Sequence, residues 1–163
     1  MLQVAIGCRL VVGRIKAADA HHATRNSGEA GARMAKLNTF EDLDCWQAAR
    51  AFRVEVSALC KTLPKQEDYR LKDQLVRASR SVPANIAEGF GRQHPQENLQ
   101  FCRQARGSHM EVLEHLNCAA DEEYLPPDKY QGMRASWDSV RGLLGGYISY
   151  LEKLCPKDKR FLK

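Results

Sequence analysis

No stretch of this 163-residue sequence approaches the roughly 18 or more consecutive apolar residues that a membrane-spanning helix requires, so a transmembrane helix is excluded from the outset. Metal-ligand spacing is also missing. Cysteines 8, 45, 60, 102, 118 and 155 form no CxxC pair, and most fall among apolar helical positions, where a reduced thiol behaves as a small hydrophobe. That usage suits the cytoplasm. There is no phosphate loop, no zinc motif and no nucleophile beside a base. His115 and Cys118 stand three apart, but two possible ligands do not make a metal centre. No catalytic residue, cofactor or metal is therefore expected, and the chain reads as non-enzymatic. Prolines are few, six in all, and the composition of 44% hydrophobic and 28% charged residues describes a chain that folds, with length for one domain.

Charge is less one-sided than the net +5 suggests. Residues 1–35 hold five basic and two acidic side chains, which leaves 20 basic and 18 acidic over the rest, too small an excess to indicate nucleic-acid binding by itself. The opening segment has no basic stretch ahead of its apolar residues, and Cys8 and Arg9 interrupt them, so it matches a secretory signal poorly. Residues 1–35 are expected to be a disordered leader or sequence upstream of a start at Met34, and residues 36–163 to form the folded domain.

Hydrophobic periodicity predicts four helices. Thr39, followed by Glu41 and Asp42, reads as a helix start, and Leu43, Trp46, Ala49, Phe52, Val56, Leu59 and Leu63 recur at threes and fours until Pro64. A second run extends from about Asp68 to Phe90 through Leu71, Leu75, Ala78, Val82, Ile86 and Phe90, and is expected to end in the glycines of EGFGR. The third begins near Pro95 and carries Leu99, Cys102, Ala105, Val112, Leu113, Leu116 and Ala120. The fourth repeats every seven residues through Met133, Trp137, Val140, Leu144, Tyr147, Leu151 and Leu154, and stops at Pro156. Short links between long amphipathic helices predict an all-α, antiparallel up-down four-helix bundle. The amphipathic faces are accounted for by its core, so no membrane partner is expected.

The second run has another side. Gln74, Arg77, Ser81, Asn85, Glu88 and Arg92 step 3, 4, 4, 3, 4 and form a polar stripe, with Pro83 near its middle. An interior proline frees the carbonyl four residues back, that of Ser79, and Ser79, Ser81 and Asn85 are the side chains placed to serve it. Two readings stand side by side: a solvated face with a Glu88–Arg92 pair, or a bent helix shaped to meet another subunit or a phosphate chain.

The segments FEDLDCWQAAR (40–50), EDYRLKDQLVRASRSVPANIAEGFGR (67–92) and ARGSHMEVLEHL (105–116) resemble a bacterial four-helix-bundle family. Its members include proteins encoded within intervening sequences of 23S ribosomal RNA genes. The matching positions are Phe40, Leu43, Trp46, Gln47, Gln74, Arg77, Ser81, Pro83, Asn85, Glu88, Gly89, Arg92, Gly107 and Ser108. The resemblance implies a subunit that assembles into a homopentameric ring, with Gln74, Ser81, Pro83, Asn85, Glu88, Gly89, Gly107 and Ser108 as its structural or assembly motif. Similar accessory proteins of diversity-generating retroelements bind nucleic acid and a reverse transcriptase through a basic ring. The sequence departs from the family pattern at Arg80, at His94 where a capping Ser is usual, at His109 where Leu is usual, and at Glu122 and Glu123 where Leu-Gly is common. His109 reads as a paired core or interface histidine.

Two functions follow as expectations. In the first, Arg77, Arg80, Arg92, Arg103 and Arg106 form a basic surface for RNA or DNA; residues 61–106 hold nine basic and five acidic side chains, and five full-length chains at +5 each would carry +25. In the alternative, the same arginines pair with acids, and the ring is a scaffold for a reverse transcriptase or RNA-processing protein without direct nucleic-acid contact.

Overall fold

The computed structural model describes residues 38–155; the expected leader lies outside them, as do the last residues of the expected domain. Among the described residues there are four α-helices and no strand: α1 (Asp44–Cys60), α2 (Leu71–Gly91), α3 (Pro95–Asp121) and α4 (Pro127–Leu154). At 1.5 Å per residue they run from about 26 Å for α1 to about 42 Å for α4. The first is therefore shorter than its apolar period suggests.

Its boundaries explain why. Thr39 heads not α1 but a 3-10 turn, Phe40–Asp42, and the Asp42 carboxylate reaches back to accept the backbone N–H groups of Asn38 and Thr39 at 2.8 and 3.1 Å. These two bonds hold the Asp42 carboxyl below its ordinary range. Leu43 is extended, and α1 begins after it. At the far end, the Thr62 hydroxyl donates to the Leu59 carbonyl at 2.8 Å, closing α1 before Pro64. Pro64 precedes a second 3-10 turn, Lys65–Glu67, and the Glu67 carboxylate accepts the Leu71 N–H at 3.3 Å, so α2 starts at Leu71 and not at Asp68.

The glycines of EGFGR do not terminate α2 by a left-handed turn. Gly89 and Gly91 are helical, and the residue with positive φ is Gln93, at 57°. Gly89 serves the packing instead. A Cβ there would lie 2.9 Å from both Asn98 Oδ1 and Phe101 Cβ, so its missing side chain lets α2 and α3 close on one another. Pro95 opens α3, with no side-chain cap from His94. At the α3–α4 turn, Glu123 stands at φ 60°, so the turn keeps a left-handed residue without the glycine that suits it.

Neighbouring helices run antiparallel around one core. Ser81 of α2 meets Ser108 of α3, while His109 and Asn98 of α3 meet Trp137 and Tyr147 of α4 in reverse order. The core takes Phe52 and Val56 from α1, Leu75, Val82 and Ile86 from α2, Val112 and Leu116 from α3, and Val140, Leu144 and Leu151 from α4. Three polar side chains are buried with them: Ser79, whose hydroxyl donates to the Val76 carbonyl at 3.2 Å, and two others. Asn98, buried, donates from Nδ2 to the Tyr147 hydroxyl at 2.8 Å, and the Cys102 thiol donates to its Oδ1 at 3.4 Å. The other is His109, with no exposed surface.

Candidate nucleic-acid interface

The polar stripe of α2 lies along its seam with α3. Asn85 Nδ2 donates to both the carbonyl and the hydroxyl of Ser81 at 2.9 Å, and the Ser81 hydroxyl is 2.9 Å from that of Ser108 across the seam. This corrects two expectations. Pro83 does not sit in the stripe: at 100° per residue it turns to the opposite flank, and it is buried within a helix that continues through it. Nor do the three polar side chains serve the Ser79 carbonyl, because the Ser79 hydroxyl donates to the Val76 carbonyl at 3.2 Å while Ser81 and Asn85 are committed to the seam. Gln74 is exposed at the start of the stripe and Gly107 lies open on α3, with nothing within 4 Å of a Cβ placed there.

All five arginines are exposed. Arg77 makes only a long contact with Asp73, 3.4 Å, and keeps 75% of its side chain open. Arg92 pairs with Glu88 at 2.7 Å and lies over the Phe101 ring at 5.2 Å; its hydrogen bond to Glu88 and that carboxylate's charge push its pKa up. Arg103 pairs with Glu152 of α4 at 3.0 Å. Arg80 and Arg106 make no ion pair among the described residues. The five do not converge on one spot. Arg77 and Arg92 mark opposite ends of α2, Arg80 stands on its outer side, and Arg103 and Arg106, three residues apart, lie on the flank of α3 that faces α4. The result is a set of exposed arginines distributed over two adjacent helices and interspersed with the acids Asp73, Glu88, Glu97, Glu111, Glu114 and Asp121.

Sequence patterning did not single out a second constellation, on α4. Arg134 and Arg141 both contact Asp138, at 3.3 and 3.1 Å, and both lie against the Trp137 ring, at 4.8 and 5.8 Å from its centroid. Arg134 and Asp138 at four-residue spacing were the available signal. Beneath them, His109 stacks on Trp137 at 4.8 Å. Its Nε2 lies 2.9 Å from the Trp137 carbonyl, while Trp137 Nε1 donates to the His109 carbonyl at 2.8 Å. Since a carbonyl only accepts, Nε2 carries the proton, and the buried Nδ1 lone pair has no partner among the described residues. Burial lowers the His109 pKa, with the Arg141 charge acting in the same direction and the Trp137 bond and Asp138 charge opposing.

The four helices and their shared core define a four-helix bundle protein, and no described helix is long and apolar enough to cross a bilayer. The chain matches the sequence model of the 23S rRNA-intervening sequence protein family over residues 41–146, and it belongs to that family. No curated protein matches it.

Proposed function

We propose that this chain is a non-enzymatic, cytoplasmic helical protein that assembles with copies of itself into a ring, a pentamer, and binds RNA or DNA through the arginines of α2 and α3. The observation that carries this reading is that all five arginines are exposed on adjacent helices, and that Arg80 and Arg106 are not consumed by ion pairs within the described subunit. Guanidinium forks match phosphate oxygens, and release of condensed counterions supplies affinity with little sequence preference. The ring multiplies a modest charge per chain. The family's description ties it to the intervening sequences of 23S rRNA, which favours RNA as the first ligand to try.

A scaffold for a reverse transcriptase or RNA-processing protein is the second reading. It is favoured by the outer side of α4, where Gly132, Gly142 and Gly145 each face open space. A helix-interior glycine costs about 1 kcal/mol relative to alanine, and nothing within the described subunit uses that room. Close approach of another helix, from a second copy or a partner, would.

Purifying the full chain and measuring its assembled mass and its ultraviolet absorbance ratio separates these readings. A five-chain mass with bound nucleic acid that leaves at raised salt supports the first. An assembled particle free of nucleic acid supports the second, and binding unchanged from low to high salt contradicts the phosphate mechanism.

A further inference from the structure

Tyr69 has 96% of its surface open to solvent, the highest of the exposed large apolar side chains in the described residues. It is not on a slack loop. The turn that carries it is fastened by Asp68 N–H to the Lys65 carbonyl at 3.1 Å, by Arg70 N–H to the Glu67 carbonyl at 3.1 Å, and by Gln74 N–H to the Arg70 carbonyl at 3.1 Å. The backbone that carries the exposed ring is thus fixed at the end of the bundle, between the 3-10 turn and the first turn of α2.

The charges around it in the chain are sorted. Both acids are drawn back onto α2: Glu67 accepts the Leu71 N–H, and Asp68 pairs with Lys72 at 2.6 Å. Lys61, Lys65 and Arg70 are exposed and make no ion pair among the described residues. An aromatic face with uncommitted cations along the same short segment is the combination that binds single-stranded nucleic acid: an unpaired base stacks on the ring while the cations follow the phosphates. A duplex keeps its base faces stacked internally and offers the ring nothing.

We propose that Tyr69, with Lys61, Lys65 and Arg70, forms a stacking site for an unpaired base of single-stranded nucleic acid. The inference rests on the nucleic-acid reading and adds to it a strand preference and a contact point that does not use the five arginines. The site takes RNA and DNA alike, since every base has a face to stack.

The test is fluorescence anisotropy on the full chain with labelled oligo(U), oligo(dT) and a duplex of equal length. Wild type, Tyr69→Ala, Tyr69→Phe and an Arg80→Ala/Arg106→Ala double variant are compared, and each assembled mass is measured. Tyr69→Ala is expected to weaken both single strands by roughly tenfold or more while leaving the duplex unchanged, and Tyr69→Phe to retain binding. Tyr69→Ala binding single strands like wild type overturns the stacking site but leaves the nucleic-acid reading intact, which the double arginine variant then tests alone. A wild type that binds none of the three probes overturns both. A change in assembled mass for Tyr69→Ala makes the ring a subunit contact and overturns the site.

Discussion

Among the polar links that join neighbouring helices in this bundle, two are built on opposite plans. Between α3 and α4, His109 and Trp137 each bond the other's backbone carbonyl, their rings stack, and the pair is sealed from water. Between α2 and α3, Ser81, Asn85 and Ser108 form a chain of small side chains that stays partly open to solvent. A sealed link tolerates only one register, because sliding either helix leaves carbonyls and ring nitrogens buried without partners. An open link has water as a substitute partner. The same polar chemistry therefore specifies α3 against α4 and leaves the seam between α2 and α3 the more permissive of the two.

The contrast is disrupted most severely by Trp137→Ala, which removes a buried indole, its stack and the bond to the His109 carbonyl. It is expected to cost about 3–5 kcal/mol in urea denaturation. Gly89→Ala is next, at about 1–3 kcal/mol, since its Cβ would press on the Asn98 backbone and Phe101. Gly107→Ala faces open space and is expected to stabilise the isolated subunit by about 0.5–1 kcal/mol. Opposite signs for these two glycines in thermal melts would confirm that only the first is held by packing within the subunit.

Acid separates the two links further through His109. Its pKa is lowered in the folded protein, so the unfolded chain takes up the proton first. Stability is full above the ordinary histidine value of 6.5 and falls as pH drops below it. His109→Gln should remove that part of the slope in pH-dependent denaturation. The Asp42 carboxyl acts in a separate window, its contribution present above 3.8 and lost as pH falls through its lowered pKa. Ser81→Ala should have the smallest effect, below about 1.5 kcal/mol, because water reaches the seam and can replace the lost hydroxyl. A loss as large as that for Trp137→Ala would erase the distinction between the two links.

Much of the bundle was legible in advance because burial follows a period. Leu75, Val82 and Ile86, and the heptad from Met133 to Leu151, are where a 3.6-residue repeat places them. Helix ends were less so. Thr39 is a cap, but of a 3-10 turn and not of α1, and EGFGR looks like a glycine stop although the left-handed residue is Gln93, just beyond it. Caps depend on which side chain arrives at a free amide, and several candidates compete within a few residues. Of the candidate site, the stripe from Gln74 to Arg92 was readable from spacing, whereas the burial of Pro83 and the partners of the arginines were not. Those depend on which helix lies alongside.

The order of apolar residues along the chain, a local property, determined that there would be four amphipathic helices and which side of each would turn inward. Only the packed structure decided that Gly89 is a point of contact, that Asn98 belongs to the core, that Trp137 is the partner of His109, and that Tyr69 stands open to water. Each of those facts depends on which atoms from distant parts of the chain come within a few ångströms, and no repeat within a single helix encodes the identity of its neighbour.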